Sequence, residues 1–555
     1  MYALLVCFLL SFLIFYSVGR LFSFSNIRSY SICDSFFIGL AIVSGFLNYW
    51  SLFFPLNFVS FLIVLTFSLL IYLLKFKAFS DDLIKLKEIK FSKILILKVV
   101  IIITVLFYSL LYPKTFDSYL YHINAVIWNE NYSVIPGLAN LHDRYGLNSA
   151  SFVLNASFSF NWLYNQYLFV INALSFLVFI IWIFKKIFIV DSIKGWGLLI
   201  FLYYFSEQYI LEISSPNTDV LPNILVSYLL ISAYLNLEIL KSKKILFISV
   251  SLLCITLKIS TLPVLVLGLF SIYSSEKFLK ASSQFVFYGV VIVLPWIIRN
   301  IILTGYIIYP MAEIDLFSFD WKVPIEVVTE IKKWIVSWAR IPMKSNSEVL
   351  ALSFSEWFPI WWNSQLLKNK IFLSVAILSP LFFVIKYLIL KEKINWNFFF
   401  LILTSYLSLL LWLNAPDFRF SFGVILFLAL LPIGFIKISS LSKHLKKIHL
   451  SYQLISLVIL FHFLINGYKL FNLEYNIKKD LYCFYLPNDM SNVKKERNIQ
   501  FEKFQIPNSK IEIFQPKELN MPCYDQFPCT PNLNRDVRLR GKTIDDGFTF
   551  KTLKE

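Results

Sequence analysis

The chain has 555 residues and a formal net charge of +17, from 51 Lys and Arg against 34 Asp and Glu. It is 58% hydrophobic and only 15% charged, with a mean hydropathy of +0.69. A soluble domain carries about 25% charged residues, so this balance excludes a soluble nucleic-acid binder despite the basic charge. It excludes disorder, and it leaves a polytopic membrane protein.

A transmembrane helix needs about 17–25 apolar residues. Fourteen stretches read as predicted helices, near 2–19, 34–54, 57–74, 99–112, 166–184, 196–212, 219–236, 245–257, 261–275, 283–298, 371–390, 396–412, 420–436 and 452–467. The expected fold class is therefore an all-α polytopic membrane protein with a small tail region containing some β. The first stretch lacks a basic leader and an Ala-x-Ala-like site, so it is expected to be a retained helix and not a signal peptide. Its nearest cations, Arg20 and Arg28, follow it, which favours an outward N-terminus.

Alternation then places seven loops inside. They hold 24 Lys and Arg against 7 Asp and Glu, so the whole +17 lies there, and the remaining 27 of each sign balance. Lys-rich inner loops are what the positive-inside rule predicts. The division expected is an accessory region 1–98, a core 99–467 with outer loops 113–165 and 299–370, and an outer tail 468–555. The tail alternates short apolar runs with Pro, Asn and Asp, which predicts strands and loops in a separate soluble region. Its Cys523 and Cys529 suit a disulfide in an oxidising compartment. Two free thiols are the alternative.

Ionisable groups in or beside a span are costly and mark candidate sites. Asp117 opens the first outer loop, followed by Tyr121, His122 and Trp128. Thr115 or Asp117 could cap an interfacial helix there, or the Asp117 carboxylate could act as a general base. Asp219 sits in the next outer turn, Ser215-Pro216-Asn217-Thr218-Asp219, as a cap or a second acid, base or metal group. Lys258 lies amid apolar residues and must snorkel or pair, with Asp117, Asp219 or a lipid phosphate as partner. Arg299, beside Asn300, ends the tenth stretch on the outer side, where a guanidinium suits phosphate. Asp417 and Arg419 share the turn 414–420 and could pair with each other or hold phosphate. Loop 299–370 adds Trp334, Trp338, Arg340, Trp357, Trp361 and Trp362, a pattern of sugar-binding faces or of an interfacial belt. No Walker loop, Rossmann fingerprint, His-Glu-x-x-His or Cys-x-x-Cys pair occurs.

These residues occur in one order. Asp117 is followed by Asp219 ahead of Pro222, then Lys258-Ile-Ser260 with Pro263, then Pro295-Trp296 with Arg299-Asn300, Gly305 and Tyr309-Pro310. Ala415-Pro416-Asp417-Phe418-Arg419-Phe420 closes the series. Together they resemble the GT-C class of membrane glycosyltransferases over roughly residues 99–440, most specifically at 295–310. The resemblance implies catalytic roles for Asp117 and Asp219. It implies donor-phosphate binding by Lys258, Arg299 and Arg419, with His122, Asn300 and Asp417 at the substrate. The donor implied is a polyprenyl-phosphate sugar. A divalent metal is possible but left open, because Asp117 has no acidic neighbour at the start of the first loop, where many members have an acidic pair. The tail segments Pro528-Cys529-Thr530-Pro531, Arg538-Leu539-Arg540-Gly541 and Asp546-Gly547-Phe548 are similar to those of a GT-C-like bacterial membrane-protein family.

The expected function is sugar transfer from a lipid-linked donor to an envelope glycan or lipid acceptor. The expected location is a bacterial inner membrane, with both termini extracytoplasmic. The partners are membrane lipid, the lipid-linked sugar and the glycan acceptor, and not nucleic acid. The alternatives are a transporter or flippase of lipid-linked sugars, or a polysaccharide polymerase or ligase.

Overall fold

The computed structural model describes the chain except residues 23–29, 76–92, 191, 390–394, 436–444, 476–481, 488–497, 508, 519–520, 533–535 and 551–555. Several inner-loop cations counted above, among them Arg28, Lys77, Lys85, Lys391 and Lys437, lie outside the described residues.

Each of the fourteen apolar stretches coincides with a helix. Among the described residues, six helices are long and apolar enough to cross a membrane: Tyr2–Phe22, Ile32–Trp50, Val170–Ile187, Phe278–Thr304, Leu367–Ile385 and Gln453–Tyr475. Others are apolar but shorter. Lys244–Leu257 has 14 residues, a rise of about 21 Å against a hydrocarbon core of about 30 Å. Leu62, Ile63, Phe67 and Leu70 on one helix, and Ile377, Leu378, Leu381 and Phe382 on another, remain exposed. Apolar surface of that extent marks a face that meets something other than water.

Local chemistry explains how the first helices associate. Ser31 and Asp34 form a capping box that starts Ile32–Trp50, satisfying donors that a helix start leaves orphaned. This helix crosses Tyr2–Phe22 at Gly19 and Gly39. A Cβ on Gly19 would lie 1.7 Å from Ser35 O, and one on Gly39 1.7 Å from Phe15 O. The two backbones are in contact there, the packing that small residues permit between apolar helices.

The helix ends carry the loops that matter for function. Ser118–His122 forms a π turn that leads directly into Ile123–Asn131. Lys258, in extended conformation (φ −158°, ψ 120°), separates Lys244–Leu257 from the turn Ile259–Val264. The loop 299–370 folds into helices Ile325–Arg340, Asn346–Ala351 and Phe354–Ser364. Trp361 Nε1 donates to Pro416 O at 2.9 Å, and its ring stacks parallel on Phe418. That contact ties the loop to the turn holding Asp417.

The tail contains two antiparallel pairs. β1 (Phe501–Gln505) pairs with β2 (Glu512–Pro516), and β3 (Val537–Leu539) with β4 (Phe548–Phe550). Cys523 and Cys529 are joined by a disulfide. The tail does not stand apart. Tyr524 N donates to Tyr119 O at 3.2 Å, Asn124 Nδ2 to Tyr524 O at 2.8 Å and Tyr145 Oη to Cys529 O at 2.8 Å. Arg540 pairs with Asp320 at 2.7 Å. The N-terminal amine donates to Cys483 O at 3.1 Å, so Met1 and the segment around Cys483 lie together.

Candidate functional site

Three acid–base pairs, each set by a different turn, meet at one end of the helix bundle. The first joins Asp117 to Arg144. Asp117 stands at the entry to the π turn, where its side chain makes no capping bond. Thr115 Oγ1 and Ser118 Oγ instead bond each other at 2.6 Å. The free carboxylate accepts from Arg144 Nη1 at 2.8 Å. Arg144 also lies over the Tyr121 ring at 5.4 Å and the Trp334 ring at 5.7 Å. The capping role open to Asp117 in the sequence is therefore not taken.

The second pair joins Asp219 to Lys258 in a short contact. Asp219 likewise makes no side-chain cap on the helix that follows. Its position is fixed by the turn before it: Asn217 Oδ1 accepts from Asp219 N at 2.6 Å, while Asn172 Nδ2 donates to Ser215 O and Asn217 O at 2.8 Å each. Of the partners open to Lys258, Asp219 is the one found. The ammonium also sits 3.7 Å over the Phe420 ring. A lysine inside an apolar run is accommodated because it falls at a helix break, within reach of a carboxylate and an aromatic face.

The third pair is Asp417 with Arg419. Arg419 donates from Nε at 3.0 Å and from Nη2 at 2.8 Å to Asp417 Oδ2, and its N–H donates to Asp417 Oδ1 at 2.9 Å. Asp417 is also the cap of Phe418–Leu430. Tyr209 Oη and Asn223 Nδ2 bind Arg419 O at 3.1 Å each, which anchors this turn beside the one holding Asp219.

His122 and Glu212 tie the pairs into one electrostatic unit. His122 is 3% exposed, and burial pulls its imidazolium down to about 4 against the raising effect of Asp117 and Asp219. It is therefore neutral at pH 7, with Nδ1 3.5 Å from Ser118 Oγ. Glu212 is pushed up to about 7, first by burial and then by Asp219, with Arg419 opposing and Asp417 and Asp117 adding. Its Oε2 accepts from the Asn217 amide in a short contact.

Arg299 and Asn300 are not part of this unit. Arg299 is 2% exposed, and its guanidinium is committed to Ser51 Oγ at 2.6 Å, Asn129 Oδ1 at 2.7 Å and Asn148 Oδ1 at 3.2 Å. Asn300 is equally buried. The guanidinium expected to face a donor phosphate is thus engaged by three neutral side chains and stands apart from the three carboxylates.

The sequence reading missed Arg144 and Glu212. Both had a signal. Arg144 is an outer-loop arginine against the positive-inside trend, the feature that drew attention to Arg299. Glu212 is an acid just past a helix end, one turn from Asp219. For a divalent metal, no group of three or more His, Cys, Asp or Glu among the described residues is arranged to hold one. The three aspartates each face a protein cation instead.

Residues 1–426 match the family described as Domain of unknown function (DUF8201). No curated protein and no solved structure matches the chain.

Proposed function

The chain belongs to the DUF8201 family, and we propose that it is a membrane glycosyltransferase of GT-C type. It moves a sugar from a polyprenyl-phosphate donor to an envelope glycan or lipid acceptor. The observation that carries this reading is the convergence of Asp117–Arg144, Asp219–Lys258 and Asp417–Arg419 at one end of an apolar helical bundle. All fourteen apolar helices are read as spanning or re-entering the bilayer, with this end and both termini outward and the Lys-rich loops at the cytoplasmic side of a bacterial inner membrane.

The chemistry asks for a base and for positive charge where the phosphate departs. Asp117 is the base. Its side chain is 34% exposed, against 9% for Asp219 and 20% for Asp417, so it is the carboxylate an incoming acceptor reaches first. The acceptor hydroxyl gives its proton to Asp117, its oxygen bonds to the anomeric carbon, and the carbon–oxygen bond to the donor phosphate breaks. Lys258, Arg419 and Arg144 balance the charge on the departing phosphate, and Asp219 and Asp417 hold the first two in place. Neutral His122 offers a hydrogen bond without adding charge.

Membranes containing Asp117→Asn or Lys258→Met, supplied with radiolabelled polyprenyl-phosphate sugars, test this reading. Transfer is expected in the parent and lost in both variants. Transfer by both at the parent's rate would show that the chemistry lies elsewhere.

A further inference from the structure

The arginine excluded from the carboxylate unit poses its own problem. Arg299 is 2% exposed, and its hydrogen-bond partners, Ser51, Asn129 and Asn148, are all neutral. A guanidinium carries five N–H donors and does not shed its proton in a protein. Three of the five are satisfied, and two have no acceptor among the described residues. No carboxylate pairs with it among the described residues. A buried charge is ordinarily paired, so the missing partner needs an explanation.

The space beside it supplies one. A cavity of about 20 Å³ adjoins Arg299, lined also by Asn129, Asn148, Phe152 and Leu303, with no Asp or Glu in its wall. The Asn129 and Asn148 amides donate to Ala125 O and Trp296 O, leaving their oxygens turned to the guanidinium. A cavity of this size holds one water or one monatomic ion. A water would leave the charge unbalanced, and a phosphate or carboxylate ligand does not fit.

We propose that this cavity is a binding site for a single halide ion, the counter-ion of Arg299. The ion completes a junction of four segments: the end of Ile32–Trp50 through Ser51, the first loop helix through Asn129, the turn at Asn148, and the helix Leu294–Thr304. The Asn148 turn follows Arg144, which pairs with Asp117. Phe152, in the cavity wall, packs on the His122 ring with centroids 5.6 Å apart. An occupied site therefore steadies the segment that presents Arg144. The halide site does not depend on the donor-sugar reading.

Bromide is the probe. Crystals of the full-length protein grown in bromide are expected to show an anomalous peak in contact with the Arg299 guanidinium. The melting midpoint is expected to rise by about 2 °C or more in chloride or bromide relative to gluconate at equal ionic strength. Arg299→Gln removes the charge and abolishes that shift. Ala125→Leu fills the cavity while keeping Arg299, and abolishes it too, which guards against a variant that merely folds poorly. Equal melting in halide and gluconate, absence of a bromide peak, or an undiminished halide shift in Ala125→Leu would each overturn the proposal.

Discussion

Arg144 donates to Asp117 at 2.8 Å across 27 residues of the first loop, so the exposed carboxylate of the site is held by a cation from the same loop. The guanidinium lies over both the Tyr121 and Trp334 rings, which restricts its motion. Arg144→Ala is expected to leave the Asp117 side chain free to rotate. A base displaced from its working position loses much of the roughly 10²–10⁴-fold that general base catalysis contributes. Transfer assays should show a fall in rate of about 10-fold or more for Arg144→Ala, with partial retention in Arg144→Lys, which keeps charge but not the planar fork. An Arg144→Ala enzyme with parental kinetics would remove Arg144 from the site.

The helices were legible because apolar length is a strong signal: Trp396–Trp412 and Phe58–Leu74 fall where the run of apolar residues puts them. The Asp417–Arg419 pair was legible because two residues of one turn can find each other without knowledge of the fold. Lys258 was legible as a residue in need of a partner, and the fold supplies Asp219 from the options the sequence left open. The Arg144–Asp117 pair was not legible, because it depends on how residues 142–149 fold back. The surroundings of Arg299 were not legible either. Its outward position suggested a lipid-linked phosphate, whereas Ser51, Asn129 and Asn148 come from three separate segments to engage it. The docking of the tail on Tyr119 and Asn124 likewise joins residues about 400 apart in the chain, which leaves no pattern in the sequence.

Glu212 and Glu130 give the protein a defined pH response. Burial pushes both from an ordinary 4.5 up to about 7, helped at Glu212 by Asp219 and opposed at Glu130 by the Ser159 hydroxyl. Their folded values exceed their unfolded ones, so between pH 4.5 and 7 the folded state keeps protons that the unfolded chain has released. Stability from these groups is therefore present at low pH and declines as pH rises through 7. Thermal melting across pH 5–8 should show that slope reduced in Glu212→Gln and in Glu130→Gln, and reduced further in the double variant. An unchanged slope in the double variant would place both carboxylates in water.

The disulfide loop Cys523–Cys529 carries Tyr524, whose ring packs on Tyr119 at 4.7 Å and whose carbonyl accepts from Asn124. Closing so short a loop constrains the unfolded chain by about 2 kcal/mol. Cys523→Ser with Cys529→Ser is expected to lower the melting midpoint and to raise hydrogen exchange at the π turn Ser118–His122, beside Asp117. Exchange confined to the tail would show that the loop does not support that turn.

The contact between the first two helices gives the sharpest stability test. Gly39→Ala places a methyl 1.7 Å from the Phe15 carbonyl oxygen, a backbone atom that cannot swing aside. The two helices must separate, losing packing such as the edge contact of Phe15 on Phe36, both buried. Overpacking of this kind costs about 1–3 kcal/mol, and a backbone obstacle puts Gly39→Ala at the upper end. Gly197→Ala is the control, since the nearest atom to its added methyl is 3.9 Å away. In a helix, alanine there gains up to about 1 kcal/mol over glycine. In one detergent, Gly39→Ala should melt well below the parent and Gly197→Ala at or above it. Equal melting of the two variants would mean that the helices do not meet at Gly39.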